Sequence, residues 1–182
     1  AADHTYWSGG GSGFNDISEF PYHLRNIKKL GTVLAVYTEL AIWFGIRTEI
    51  SASPVRFELK VSAQGNYGAL TVSGQGENHL FLGNDNIYQL TDAGQLIPVG
   101  LQVRDAIFSE LNAGGLPQMF GVTLMDTQEY LCFVCTGSNS TPDKAWVYNW
   151  ARQTWYPWTF SGPKCGTIHR VDDTTTIDEL TG

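Results

Sequence analysis

Hydrophobic residues in this chain fall in short runs broken by turn formers, and the densest group lies at 129–160, EYLCFVCTGSNSTPDKAWVYNWARQTWYPWTF. Two apolar runs flank a Ser/Thr/Asn/Pro/Asp turn, and a polar break at Ala151-Arg152-Gln153 precedes a third run carrying Trp155 and Trp158. β-Branched and aromatic residues bounded by turn formers mark strands, so this stretch predicts an antiparallel meander. One meander cannot bury its apolar face alone, and the pattern therefore predicts similar units packed on either side.

The remaining runs repeat the theme. Residues 30–38 (LGTVLAVYT) and 40–47 (LAIWFGIR) read as a hairpin, and 56–61 alternates polar and apolar like a half-exposed strand. Short strands are expected at 69–73, 78–82 and 87–91, separated by GQGE and GNDN turns, with Asp92-Ala93-Gly94 leading into 95–99. Residues 119–125 and 129–136 flank a hairpin turn at Asp126-Thr127-Gln128, and 167–171 carries a further strand pattern. Val103, Ile107 and Leu111 share one face of a helix predicted at 103–112, which Gly114-Gly115 and Pro117 stop. A helix between strands sits in a connection, where it covers a sheet edge or meets a neighbouring subunit, the first being the favoured reading. Near the N-terminus, Tyr6-Trp7-Ser8 precedes a GGGSG surface loop, and Pro21 begins an extended approach.

The expected fold is therefore all-β, with β-propeller-like blades of antiparallel meanders and one short helix in a connection. The meanders give three blade equivalents, 1–50, 51–112 and 113–171, followed by an acidic tail at 172–182. Blades take roughly 40–50 residues and propellers close with about four or more. Three do not close a ring, so the missing blades are expected from further chain or from other copies.

Composition narrows the function. The 182 residues are 13% aromatic and 16% charged, with a formal net charge of −7 and only 11 Lys and Arg. That composition does not supply the clustered basic residues of a phosphate-binding surface. No apolar run approaches the roughly 20 residues of a membrane span, and the first residues carry neither the basic nor the apolar segment of a signal peptide. Three cysteines do not make a disulfide framework, and a reducing compartment is the default. Cys132 and Cys135 form a C-x-x-C within a predicted strand, where residues three apart point to opposite faces; both read as small core residues.

Candidate chemistry is thin. Asp16, Glu19, Asp85, Asp92, Asp143, Asp172 and Asp173 lie almost entirely in turns, where Asp is favoured for bonding nearby amides. His4, His23, His79 and His169 share no metal-ligand spacing, no nucleophile elbow occurs, and Asn84-Asp85-Asn86 lacks the acidic series of a calcium loop. No catalytic residue, metal or cofactor is expected. Aromatics remain: Trp146, Tyr148 and Trp150 fall on one face of a strand, and with Trp155, Tyr156 and Trp158 they suit sugar stacking, an interface, or packing between blades.

The stretches YWSGGGSGFNDIS, LGTVLAVYTELAIWFG, NHLFLGNDNIYQLTDAGQLIPVG with the helix VRDAIFSELN, and AWVYNWARQTWYPW follow one another like the blades of a known group. In them the chain resembles the β-propeller structural proteins of tailed bacteriophages, of the hub or packaged-DNA stabilisation type and of the tail nozzle type. Members of that group are several times longer, so the resemblance implies that this chain is the C-terminal part of a longer protein. The resemblance implies a non-enzymatic virion protein at the head-to-tail junction or tail, made in the bacterial host cytoplasm. It implies a homo-oligomeric ring, commonly six-fold, touching portal, adaptor or tail-tube proteins. DNA would pass through the lumen without specific binding, which an acidic chain would favour. The alternatives are a carbohydrate- or receptor-binding propeller and a glycoside hydrolase.

Overall fold

Three four-stranded antiparallel sheets make up the computed structural model, which describes residues 23–50 and 54–160. The first contains β1 (Leu24–Leu30), β2 (Val33–Thr38), β3 (Ala41–Arg47) and β4 (Val55–Ser62). The second contains β5 (Ser73–Gln75), β6 (Asn78–Leu82), β7 (Ile87–Thr91) and β8 (Leu96–Pro98), and the third β9 (Phe120–Leu124), β10 (Glu129–Val134), β11 (Lys144–Asn149) and β12 (Thr154–Thr159). Strand order follows chain order in every sheet, so each is a meander joined by hairpins. Tight turns sit where the residues permit them: Gly76, at φ +57°, turns β5 into β6.

The sheets pack face to face. Leu30, Ala35, Tyr37, Ile42 and Phe44 of the first sheet meet Phe81, Tyr88 and Leu90 of the second. From its other face the second sheet presents Leu80, Leu82 and Ile87 to Tyr130, Cys132, Val134, Trp146 and Tyr148 of the third. Burial on both faces explains why β6 and β7 read as nearly continuous apolar runs.

Contacts draw β9 against β5 and the segment that leads into it, at the first strands of the second and third sheets. Leu70 and Phe120 form a parallel bridge, and the Gly121 amide donates to the Leu70 carbonyl at 3.0 Å. Thr123 Oγ1 donates to Ser73 Oγ at 2.6 Å, and the Tyr130 hydroxyl to the Thr71 carbonyl at 2.8 Å. Gly121 is needed at this crossing, because a Cβ there would lie 2.1 Å from the Thr71 oxygen.

The structure departs from the sequence pattern in several places. The run at 30–38 is divided by a turn at Gly31 and Thr32, and an additional strand, β1, precedes it. β1 is LRNIKKL, too polar to stand out as a strand. It is held partly by its polar side chains, since Asn26 Nδ2 donates to the Ala69 carbonyl at 2.6 Å and Lys28 Nζ to the Val72 carbonyl at 3.0 Å. The strand expected at 69–73 is instead a turn, with the Thr71 amide bonded to the Gly68 carbonyl at 2.9 Å, and the strand begins at Ser73. β4, grouped by sequence with the second meander, pairs with β3 and completes the first sheet.

The helix α1 spans Arg104–Glu110, shorter than 103–112 because Leu111 is already extended, and a 3-10 turn follows at Ala113–Gln118. Ile107 enters the core between the second and third sheets, so α1 seals that seam. Among the described residues no helix is long and apolar enough to cross a membrane. The expectations placed on Tyr6-Trp7-Ser8, the GGGSG loop, Pro21, the strand at 167–171 and the acidic tail lie outside the described residues.

Candidate functional site

The aromatic residues of the third sheet divide by strand alternation. Trp146 and Tyr148 point toward the second sheet and are buried. The indole N–H of Trp146 donates to Glu110 Oε1 at 3.1 Å, and Lys144 Nζ sits 4.6 Å above its ring while bonding both Glu110 oxygens at 2.7 and 2.8 Å. Trp155 stacks on Tyr148 with centroids 4.8 Å apart and donates its N–H to the Val99 carbonyl at 2.9 Å. Trp150 falls in the turn after β11 and packs against the same cluster. These four side chains fill the seam between sheets and leave little ring surface for a ligand.

Trp158 lies on the opposite face, as its cross-strand partner Ala145 shows, and is 46% exposed. Tyr156, 6.1 Å from it between centroids, donates its hydroxyl to Glu129 Oε1 at 2.5 Å. That bond and burial push the Tyr156 pKa up to about 12.

The turn carboxylates are engaged locally. Asp143 accepts from the Thr136 amide at 2.8 Å, the Thr136 hydroxyl at 2.7 Å and Asn139 Nδ2 at 2.8 Å. Burial raises its pKa, but these hydrogen bonds outweigh that and hold the carboxyl below its ordinary value. Asp85 accepts from the Tyr88 hydroxyl at 2.8 Å. Burial, with that bond second, lifts the Tyr88 pKa to about 12.

Cys132 and Cys135 are buried free thiols in one core cluster. They share it, contrary to the opposite-face expectation, because β10 ends at Val134 and Cys135 has left the strand. Burial pushes the Cys132 thiol up to about 12, far from a reactive thiolate. Among the described residues no group of His, Cys, Asp and Glu is placed to hold a metal.

A cleft of about 420 Å³ opens at the junction of the first and second sheets, lined by Arg25, Glu39, Leu40, Asn66, Tyr67 and Asn84. Its walls come from the start of β1, the β2–β3 turn, the β4–β5 connection and the β6–β7 turn. The Asn66 amide donates to the Thr38 carbonyl at 3.0 Å and the Tyr67 amide to the Leu82 carbonyl at 2.9 Å, tying the connection to both sheets. Asn66 is fully buried, its Nδ2 donating to the Ala69 carbonyl at 3.2 Å and its Oδ1 accepting from Thr71 Oγ1 at 3.3 Å. Arg25 Nη2 pairs with Glu39 Oε1 at 2.5 Å, and Asn84 Nδ2 donates to the Glu39 carbonyl at 2.9 Å. Nothing in the sequence marks these residues, since four segments supply them and none carries a motif.

No protein-family model and no curated protein matches this chain.

Proposed function

We propose that the three sheets are consecutive blades of a β-propeller and that the chain is a structural component of a tailed-phage virion, acting through protein contacts in a ring around the DNA channel. The observation that carries this reading is the pair of outer sheet faces. On the first sheet, Ile27, Val36, Trp43 and Leu59 are successive cross-strand partners. They form an apolar row across all four strands, flanked by Leu34; Val36 and Trp43 at its middle are buried, while Ile27 is 49% and Leu59 38% exposed. On the third sheet, Phe120, Phe133, Ala145 and Trp158 form one such row and Val122, Leu131, Val147 and Tyr156 another; Phe120, Leu131, Ala145 and Val147 are buried within them and Trp158 is the exposed end. Rows like these, opposed face to face, suit packing against a further sheet.

The drawing together of neighbouring first strands also suits a radial arrangement. The phage setting rests on the sequence resemblance, which supplies portal, adaptor or tail-tube proteins and other copies of the chain as partners. A formal charge of −7 is compatible with a conduit to which passing DNA does not adhere.

Light scattering after size exclusion tests the assembly, using the natural chain, Leu34→Glu on one outer face and Trp158→Glu on the other. Several copies per particle are expected, dispersed by either substitution while circular dichroism keeps its β signature. Single chains in every sample would overturn the proposal. Immunogold labelling of virions tests the setting: label at the head-to-tail junction or tail is expected, and particles without label would remove the phage role.

A further inference from the structure

The cleft between the first and second sheets retains polar groups that are not used among the described residues. Among the described residues the Arg25–Glu39 pair employs one guanidinium nitrogen and one carboxylate oxygen, leaving Glu39 Oε2 as an acceptor and further Arg25 N–H groups as donors. Asn84 spends Nδ2 on the Glu39 carbonyl and keeps Oδ1. Tyr67 lines the cleft half-buried, its ring packed in part against the core of the second and third sheets, and its hydroxyl has no hydrogen-bond partner among the described residues.

The charge balance selects the ligand. Arg25 is already neutralised, so an anion would meet Glu39 on a chain of net charge −7, while a cation would find one carboxylate beside a guanidinium. A neutral polyol meets no such penalty. Each hydroxyl both donates and accepts, so neighbouring hydroxyls can donate to Glu39 Oε2 and accept from Arg25, and the C–H face of a sugar ring suits the Tyr67 ring. The volume, about 420 Å³, falls within the roughly 300–1,000 Å³ of small-ligand sites.

We propose that this cleft binds a neutral saccharide unit through Arg25, Glu39, Tyr67 and Asn84. The site adjoins the seam of Trp146, Tyr148 and Trp155 through Tyr67, which packs against that core, but it uses none of those three rings and does not depend on ring assembly.

Saturation-transfer NMR and calorimetry against methyl glycosides of glucose, galactose and N-acetylglucosamine, and their disaccharides, provide the test. At least one probe is expected to bind, and Glu39→Gln to weaken it about tenfold, the scale of a lost hydrogen bond to a charged group. Tyr67→Phe, which removes only the hydroxyl, is expected to weaken it severalfold and serves alone should Glu39→Gln fail to fold. No binding across the panel at millimolar concentration would overturn the proposal. So would binding that survives both substitutions, or that is lost on Trp158→Ala while the cleft variants retain it.

Discussion

The hydroxyl of Tyr37 donates a 2.8 Å hydrogen bond to Nδ1 of His79, joining the middle of the first sheet to the second inside their common core. The direction follows from the other ring nitrogen, since Nε2 faces the Lys29 carbonyl at 2.9 Å, and a carbonyl only accepts. His79 is 1% exposed. Burial holds its pKa down at about 4, with the nearby Lys28 charge acting in the same direction and the Lys29 bond opposing. A proton on Nδ1 would turn the Tyr37 hydroxyl from donor to acceptor and leave its own proton without a partner among the described residues.

Acid should therefore weaken the seam. The folded pKa lies below the ordinary 6.5, so the stabilisation is complete above pH 6.5 and is lost as pH falls toward 4. The full loss is about 3 kcal/mol. Urea midpoints at pH 7.5 and 4.5 check this, and His79→Gln should remove most of the difference. A wild-type midpoint that does not move over this range would contradict it.

Trp155 is expected to act in packing. Trp155→Ala should cost about 3 kcal/mol, the range for a large core aromatic. Trp155→Phe, which keeps a ring on Tyr148 but loses the bond to Val99, should cost about 1 kcal/mol. Chemical denaturation measures both, and an unchanged midpoint for the alanine variant would place this ring outside the stabilising core.

Gly121→Ala is expected to lower stability by about 3 kcal/mol, since the new methyl meets the Thr71 carbonyl backbone rather than a side chain that can swing away. Gly137→Ala is the comparison, with open space around the added carbon but a φ of +59°, and should cost about 1 kcal/mol. Thermal unfolding of the pair gives the difference.

Glu110 joins α1 to the third sheet through Lys144 and the Trp146 N–H. Glu110→Ala should cost about 2 kcal/mol, because it leaves a part-buried ammonium and an indole N–H without their acceptor. It should also speed amide exchange in α1. Exchange rates unchanged from wild type would show that the helix is held by its apolar packing and backbone bonds rather than by the Glu110 side chain.

Much of the architecture was readable in the residues. β6 and β7 coincide with their apolar runs because both ends are punctuated by Gly, Asn or Asp and both faces are buried. β1 was hidden because Asn26 and Lys28 find their acceptors at 69–72, some forty residues away in sequence. The face shared by Trp146 and Tyr148 followed from alternation, but Trp150 lies beyond the strand end, and Trp158 belongs to the other face. The cleft was not legible at all. Arg25 and Glu39 become neighbours when β1 pairs with β2, Tyr67 joins them only through the β4–β5 connection, and each looks like an ordinary surface residue in its own segment.

Electron cryomicroscopy of the natural particle tests the central claim most directly. A closed ring of radial four-stranded sheets is expected, with the Ile27–Val36–Trp43–Leu59 row seated against another sheet. A particle in which the three sheets stand alone, with that row and the Phe120–Phe133–Ala145–Trp158 row both facing solvent, would contradict the propeller and the function built on it.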